Sequence, residues 1–320
     1  MFRRLFAAFR IRQSAAPAAG HDAVPACDAA GRDMLVPRHE WRDRVLHPQL
    51  KRDWNTPDAL YGTLLTGLAD GFARELLTAA ARLVEIDARP ERSHATHAAV
   101  LLESGRPDEA DAVLRAGIAV AGETAVLLTH LARVQYDRGD RAGAGELLRR
   151  ALGLDPNDER ALDGWLVLER ARAGEAGYLG ALDDACNRSG SWRAHLLLAR
   201  HHLAAGDLPA ARARYAIVLA TPGVDSVFLL TMMADLCRHG HAGLAVTLAG
   251  PVYDPASHGA QAGLNLLRAC LETERAAEGE ALLARLRPFA PAVFERRLDE
   301  FEQAFAPRLA SRAQAALARG

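Results

Sequence analysis

The sequence predicts an all-α solenoid of stacked antiparallel helix pairs. Three observations carry this: a 34-residue period, a glycine at one fixed place in it, and a helix-favouring composition. Pro57 to Pro90, Glu91 to Thr124 and Ala125 to Asp158 are consecutive blocks of 34 residues, with Gly71, Gly105 and Gly139 at the fifteenth place of each. Apolar residues on either side recur at helical spacing, so each block reads as helix, tight turn, helix. Hydrophobic residues make up 50% of the chain and aromatic residues only 6%, with few β-branched runs, so almost no strand is expected. One helix pair cannot bury its apolar face alone. Neighbours must stack, and the core then grows along one axis, so 320 residues form one curved repeat domain rather than two globular ones.

The third block, AVLLTHLARVQYDRGDRAGAGELLRRALGLDPND, resembles the tetratricopeptide repeat. Leu128, Leu131 and Ala132 stand where that family packs its first helix, Gly139 and Asp140 make the turn, and Ala144, Leu148 and Ala151 pack the second helix. Asp155, Pro156 and Asn157 end it, proline because it cannot donate the next backbone bond. The resemblance implies a right-handed superhelix of TPR-like pairs. The period slips between Glu159 and Ser191, where Gly174 and Gly177 crowd the turn. It resumes from Trp192, with Gly206 and Asp207 at the turn, Ala211 and Tyr215 on the second helix and Pro222 after it. Weaker copies start near Ser226, with Gly240 at the turn, and near Ala260, where Glu274 and Arg275 replace the glycine. The array is about seven units over residues 57–293.

The flanks differ in kind. Met1 to Arg12, MFRRLFAAFRIR, is basic and amphipathic, with an apolar run too short for a signal-peptide core or a membrane span. Three readings are open for it: an interfacial anchor on anionic lipid, an organellar-type presequence, or a frayed basic tail. Gln13 to Gly31, rich in Ala, Pro and Gly, reads as a flexible tether, completing an N-terminal segment over 1–31. Residues 32–56, with two prolines, Trp41 and Trp54, are expected to form an irregular or helical cap whose tryptophans cover the first unit, the alternative being a ligand-stacking role for them. Ala292 to Ala304 and Ala306 to Arg319 read as two capping helices, giving a C-terminal cap over 294–320.

The net charge of −1 argues against a general nucleic-acid binder. Lys51 is the only lysine, so nearly all cationic groups are guanidiniums. Cys27, Cys186, Cys237 and Cys270 are too few and scattered for a disulfide framework or a CxxC zinc site, which fits a cytoplasmic protein, peripheral to the inner membrane if residues 1–12 anchor it. No catalytic constellation stands out, and no cofactor or metal is expected: GxxxxGK[ST], GxGxxG, GxSxG and HExxH are all missing. A chain with its own chemistry would need His94, His97, His130 and Glu103 to converge.

What remains is the concave groove, which in the family this chain resembles is lined by the first helix of each unit. If ninth and twelfth places face inward, Arg133, Arg200 and Arg268, then Tyr136 and Arg170, become the candidate partner-binding residues. An apolar groove with spaced guanidiniums suits a protein or peptide segment carrying Asp, Glu or a free carboxylate. The alternative is that these arginines only solvate the groove or pair with acids such as Asp137 and Asp235. Some family members clamp chaperone tails with Lys and Asn at set places. Here those places hold Tyr61, Leu65, Thr96, Val126 and His130, which disfavours a chaperone tail. The sequence thus reads as a non-enzymatic protein-interaction scaffold or adaptor. The alternative is a regulatory or assembly subunit of an enzyme or membrane-associated complex, with catalysis on a partner chain.

Overall fold

The computed structural model describes residues 23–27, 33–221 and 223–317. The basic segment 1–12 and most of the expected tether lie outside these residues. Contacts divide the chain between Ala181 and Leu182 into two compact units.

In the first unit, Ala23–Cys27 (β1) and Asp33–Pro37 (β2) pair antiparallel, with Val24 opposite Val36. Arg38–Trp41 (α1), a π-helical turn at Arg42–Leu46 and His47–Asp53 (α2) follow. Three helical hairpins come next: Pro57–Ala69 (α3) with Leu77–Ile86 (α4), Pro90–Glu103 (α5) with Pro107–Ala121 (α6), and Ala125–Asp137 (α7) with Arg141–Leu154 (α8). Glu159–Cys186 (α9) is broken at Ala173 and Gly174, where the glycine takes φ 65°. In the second unit, Arg193–Ala204 (α10) pairs with Leu208–Leu219 (α11), Ser226–Arg238 (α12) with Ala242–Ala249 (α13), and Pro255–Glu272 (α14) with Ala276–Leu286 (α15). Two short 3₁₀ turns lead into Glu295–Leu317 (α16).

The turns explain the recurring glycine. After α7 the amide of Gly139 donates to the Tyr136 carbonyl at 2.9 Å and that of Asp140 to the Gln135 carbonyl at 2.9 Å, a helix-ending motif that requires a left-handed residue, here Gly139 at φ 88°. The Asp140 side chain then accepts from the Gly143 amide at 2.8 Å and starts α8. The same pattern recurs after α10 at Gly206 and Asp207, with Asp207 accepting from Ala210. After α14 the left-handed place is held by Glu274 at φ 56°, the one non-glycine with positive φ among the described residues.

Two expectations are corrected. Ala23–Cys27 is strand, not tether, because Val24, 3% exposed, joins Leu46, Leu50, Leu60, Leu64 and Phe72 in one apolar cluster. Trp41 and Trp54 pack half-buried on that cluster, and Arg38 donates to the carbonyls of Asp70 and Gly71 at 2.8 and 3.0 Å. The C-terminal stretch is one helix, α16, running through Pro307. Proline removes one backbone bond, but Leu298 and Phe305, at most 1% exposed, are seated in the same apolar core as α15, and that burial holds the helix through the break.

Close helix approach is set by small residues. A Cβ on Gly117 of α6 would lie 2.7 Å from the His94 Cβ of α5, whereas a Cβ on Gly62 of α3 meets nothing within 4 Å. Gly117→Ala is therefore expected to destabilise by about 1–3 kcal/mol despite its gain in helix propensity, and Gly62→Ala to stabilise by about 0.5–1 kcal/mol. Urea unfolding of the two variants checks the opposite signs.

Candidate functional site

The first helices of successive hairpins in the first unit, α3, α5 and α7, with the start of α9, line a concavity of about 470 Å³. Leu65, Leu68, Ala95, Ala99 and Val126 supply apolar wall, and Tyr61 an aromatic face. The Arg92 guanidinium lies 4.5 Å from the centre of the Tyr61 ring and is fixed there by Asp87 at 2.7 Å and Asp58 at 2.6 Å. Arg133 donates to Glu103 at 2.8 Å and lies 3.6 Å from Asp137, whose carboxyl burial pushes above its ordinary value.

Two further basic side chains are arranged differently. Arg160, half-buried in the first turn of α9, lines the concavity and takes part in no hydrogen bond or ion pair among the described residues. His130 is 8% exposed and its Nδ1 has no hydrogen-bond partner. Burial, then the charges of Arg160 and Arg133, push its imidazole down to about 3, so it is neutral at any physiological pH.

Of the five residues singled out by spacing, Arg133 lines this concavity. Tyr136 lies half-buried in the last turn of α7. Arg170 stands 3.8 Å over the Tyr178 ring and pairs with Glu175 at 3.0 Å. In the second unit, Arg200 is turned to Asp235: its Nε donates to Oδ2 at 2.5 Å, Arg238 binds the other carboxylate oxygen, and Asp235 is wholly buried. Arg268 is exposed on α14 with no ion pair among the described residues. Arg133 and Arg200 thus have the acidic partners, Asp137 and Asp235, that the alternative reading assigned them.

Arg160 escaped the spacing argument because it is the second residue of its block, outside the ninth and twelfth places that argument took. His130 carried a signal. It is one of the five places weighed above against a chaperone-tail clamp, and all five, Tyr61, Leu65, Thr96, Val126 and His130, line the concavity. The four groups that independent chemistry would need are divided. His130 and Glu103 line the concavity, whereas His94 is bonded through Nδ1 to the Pro90 carbonyl at 2.7 Å and His97 interacts with His94, Arg106 and Glu109. Among the described residues no cluster of His, Cys, Asp and Glu that could hold a metal ion occurs. Burial pushes the Cys186 and Cys270 thiols up to about 11, leaving them protonated. No helix among the described residues is long and apolar enough to cross a membrane.

No family model and no curated protein matches the chain. Solved structures do. It is similar to PilF of Pseudomonas aeruginosa at 17% identity over 77% of this chain and 96% of that one, with a TM-score of 0.35. A tetratricopeptide repeat protein of Parabacteroides merdae matches at 11% identity over 78% and 98%, with a TM-score of 0.34. A chain of the Naa15/Naa10 complex bound to HypK-THB matches at 16% identity and a TM-score of 0.36 over 79% of this chain, which spans 39% of that chain's length.

Two expectations follow from these geometries. The unfolded chain titrates His130 near its ordinary value of about 6.5, while the folded chain refuses the proton until about 3. The neutral imidazole's stabilisation is complete above the first value and declines as pH falls through the window. His130→Asn should remove up to about 1.4 kcal/mol per pH unit of that decline, read as urea midpoints at several pH values on the acid side of neutrality. In the second unit, Arg200→Ala should cost about 2 kcal/mol by leaving Asp235 buried against Arg238 alone, and adding Asp235→Leu should recover part of it. Denaturant midpoints of the single and double variants decide this.

Proposed function

We propose that this chain, a tetratricopeptide-repeat fold of stacked helical hairpins, is a non-enzymatic scaffold that holds a protein or peptide segment against the first helices of its first unit. The observation that carries this reading is the concavity of about 470 Å³ shared by four successive first helices, with apolar walls and cationic groups at set places. A segment lying across it meets an apolar surface from Leu65, Leu68, Ala99 and Val126 and, besides the acid-bound guanidiniums of Arg92 and Arg133, that of Arg160, so a partner with an acidic group suits it best. No chemistry is asked of the chain itself. Where the captured partner is an enzyme or part of a membrane-associated assembly, the chain is its regulatory or assembly subunit. The free thiols Cys186, Cys237 and Cys270 fit the reducing cytoplasm. Contact with a membrane surface, if made, belongs to residues 1–12.

Leu65 is half-buried in the concavity, whereas Leu154, 54% exposed, lies outside it. Leu65→Arg should lower capture of a native partner by about tenfold or more with the melting temperature kept, and Leu154→Arg should leave capture unchanged. Affinity capture from host lysate with mass spectrometry reads both. Equal recovery by wild type and Leu65→Arg moves the interaction to another surface.

A further inference from the structure

One end of the concavity is built unlike the rest of it. Arg92 and Arg133 are engaged by acids of this chain, which leaves their charges neutralised in place. Arg160 has no such partner among the described residues, and His130, which lines the same concavity, is buried with an unpaired Nδ1. A polar atom buried with no partner costs free energy that a bound group of the right kind returns. The neighbouring positive charges select that group as an anion.

We propose that an acidic group of the occupant seats on His130 and Arg160, and that His130 takes up a proton as it does so. The inference rests on the groove reading above and specifies how that groove recognises its occupant. The groups around His130 set its direction. Burial first, then Arg160 on α9 and Arg133 on its own helix, disfavour the imidazolium. From α5, Glu103 is bonded to Arg133, Arg92 is held by Asp58 and Asp87, and Glu91 lines the same concavity; α3 contributes the Tyr61 phenol, and α6 and α8 place no side chain in the lining. A carboxylate brought into contact with Arg160 and the imidazole cancels the local positive field. It also offers the imidazole an acceptor at the face that lines the concavity, and both effects favour the protonated ring. Occupancy and protonation are then linked, so affinity rises as pH falls. The apolar wall formed by Leu65, Leu68 and Val126 accommodates an apolar group next to the acid, so the fitting motif is a carboxylate adjoining an apolar side chain.

The probe is 3-phenylpropionate, with 3-phenylpropionamide as its uncharged counterpart, added to the full chain labelled with ¹⁵N. Long-range ¹H–¹⁵N spectra report the protonation of each imidazole, and His130→Asn assigns the His130 signals. The carboxylate should bind about tenfold or more tighter than the amide and should convert His130 from neutral ring to imidazolium near pH 6. Arg160→Gln, a change at a half-buried position checked for folding by its melting curve, should bring the preference close to unity. Equal binding of acid and amide, acid binding with His130 still neutral, or no response of His130 to the acid each overturns the inference. If a native partner is still captured in a Leu65-dependent way when that happens, the groove reading stands and only the linkage to His130 falls.

Discussion

Each hairpin leaves an apolar face that only the next hairpin covers, and the rest of the structure depends on that coverage. In the first unit one cluster draws Ala98, Leu101 and Leu102 from α5, Ala110 and Leu114 from α6, and Leu127, Leu131 and Val134 from α7. No single pair owns this core. Small residues set how closely the helices approach, as at Gly117 against His94, and the apolar area removed from water supplies the driving force. Turn glycines in the left-handed region keep each connection short enough for the next helix to fall into register.

Charged contacts repeat with the same step. Asp58 with Arg92, Glu103 with Arg133, Asp108 with Arg138 and Arg200 with Asp235 are 30 to 35 residues apart, about one repeat. Most are exposed and contribute little to stability, but they fix side chains along the line of first helices. The Arg200 pair differs, since it holds a buried carboxylate between α10 and α12. What faces the concavity is therefore a set of places filled in order along the chain, some neutralised by the repeat before or after and one, Arg160, left open. The neutral, buried His130 lines the same concavity, its Nδ1 without a hydrogen-bond partner.

Most of the fold was legible because its cause is periodic. Gly71, Gly105 and Gly139 mark turns, Ala144 and Ala151 mark close packing, and Asp140 and Asp207 mark helix starts, each by local chemistry that needs no distant contact. The flanks were not legible for the converse reason. Ala23–Cys27 becomes strand through pairing with Asp33–Pro37 and burial of Val24, and α16 continues through Pro307 because Phe305 is held in the core beneath α15. For the site, the five places read as lacking a chaperone-tail clamp, Tyr61, Leu65, Thr96, Val126 and His130, all line the concavity. Which acid engages each candidate arginine was not legible: Arg200 is held by Asp235 about one repeat away and Arg170 by Glu175 five residues on.

The sequence by itself determined a helical-hairpin repeat, its turns, its capping residues and the apolar faces that must stack, since propensity, glycine conformation and 3.6-residue periodicity act within a few residues of chain. Only the tertiary structure decided which charges are engaged and which ring is buried. Those properties arise from groups some 30 residues away, where burial and a neighbour's field, rather than local preference, set the protonation of His130 and the freedom of Arg160.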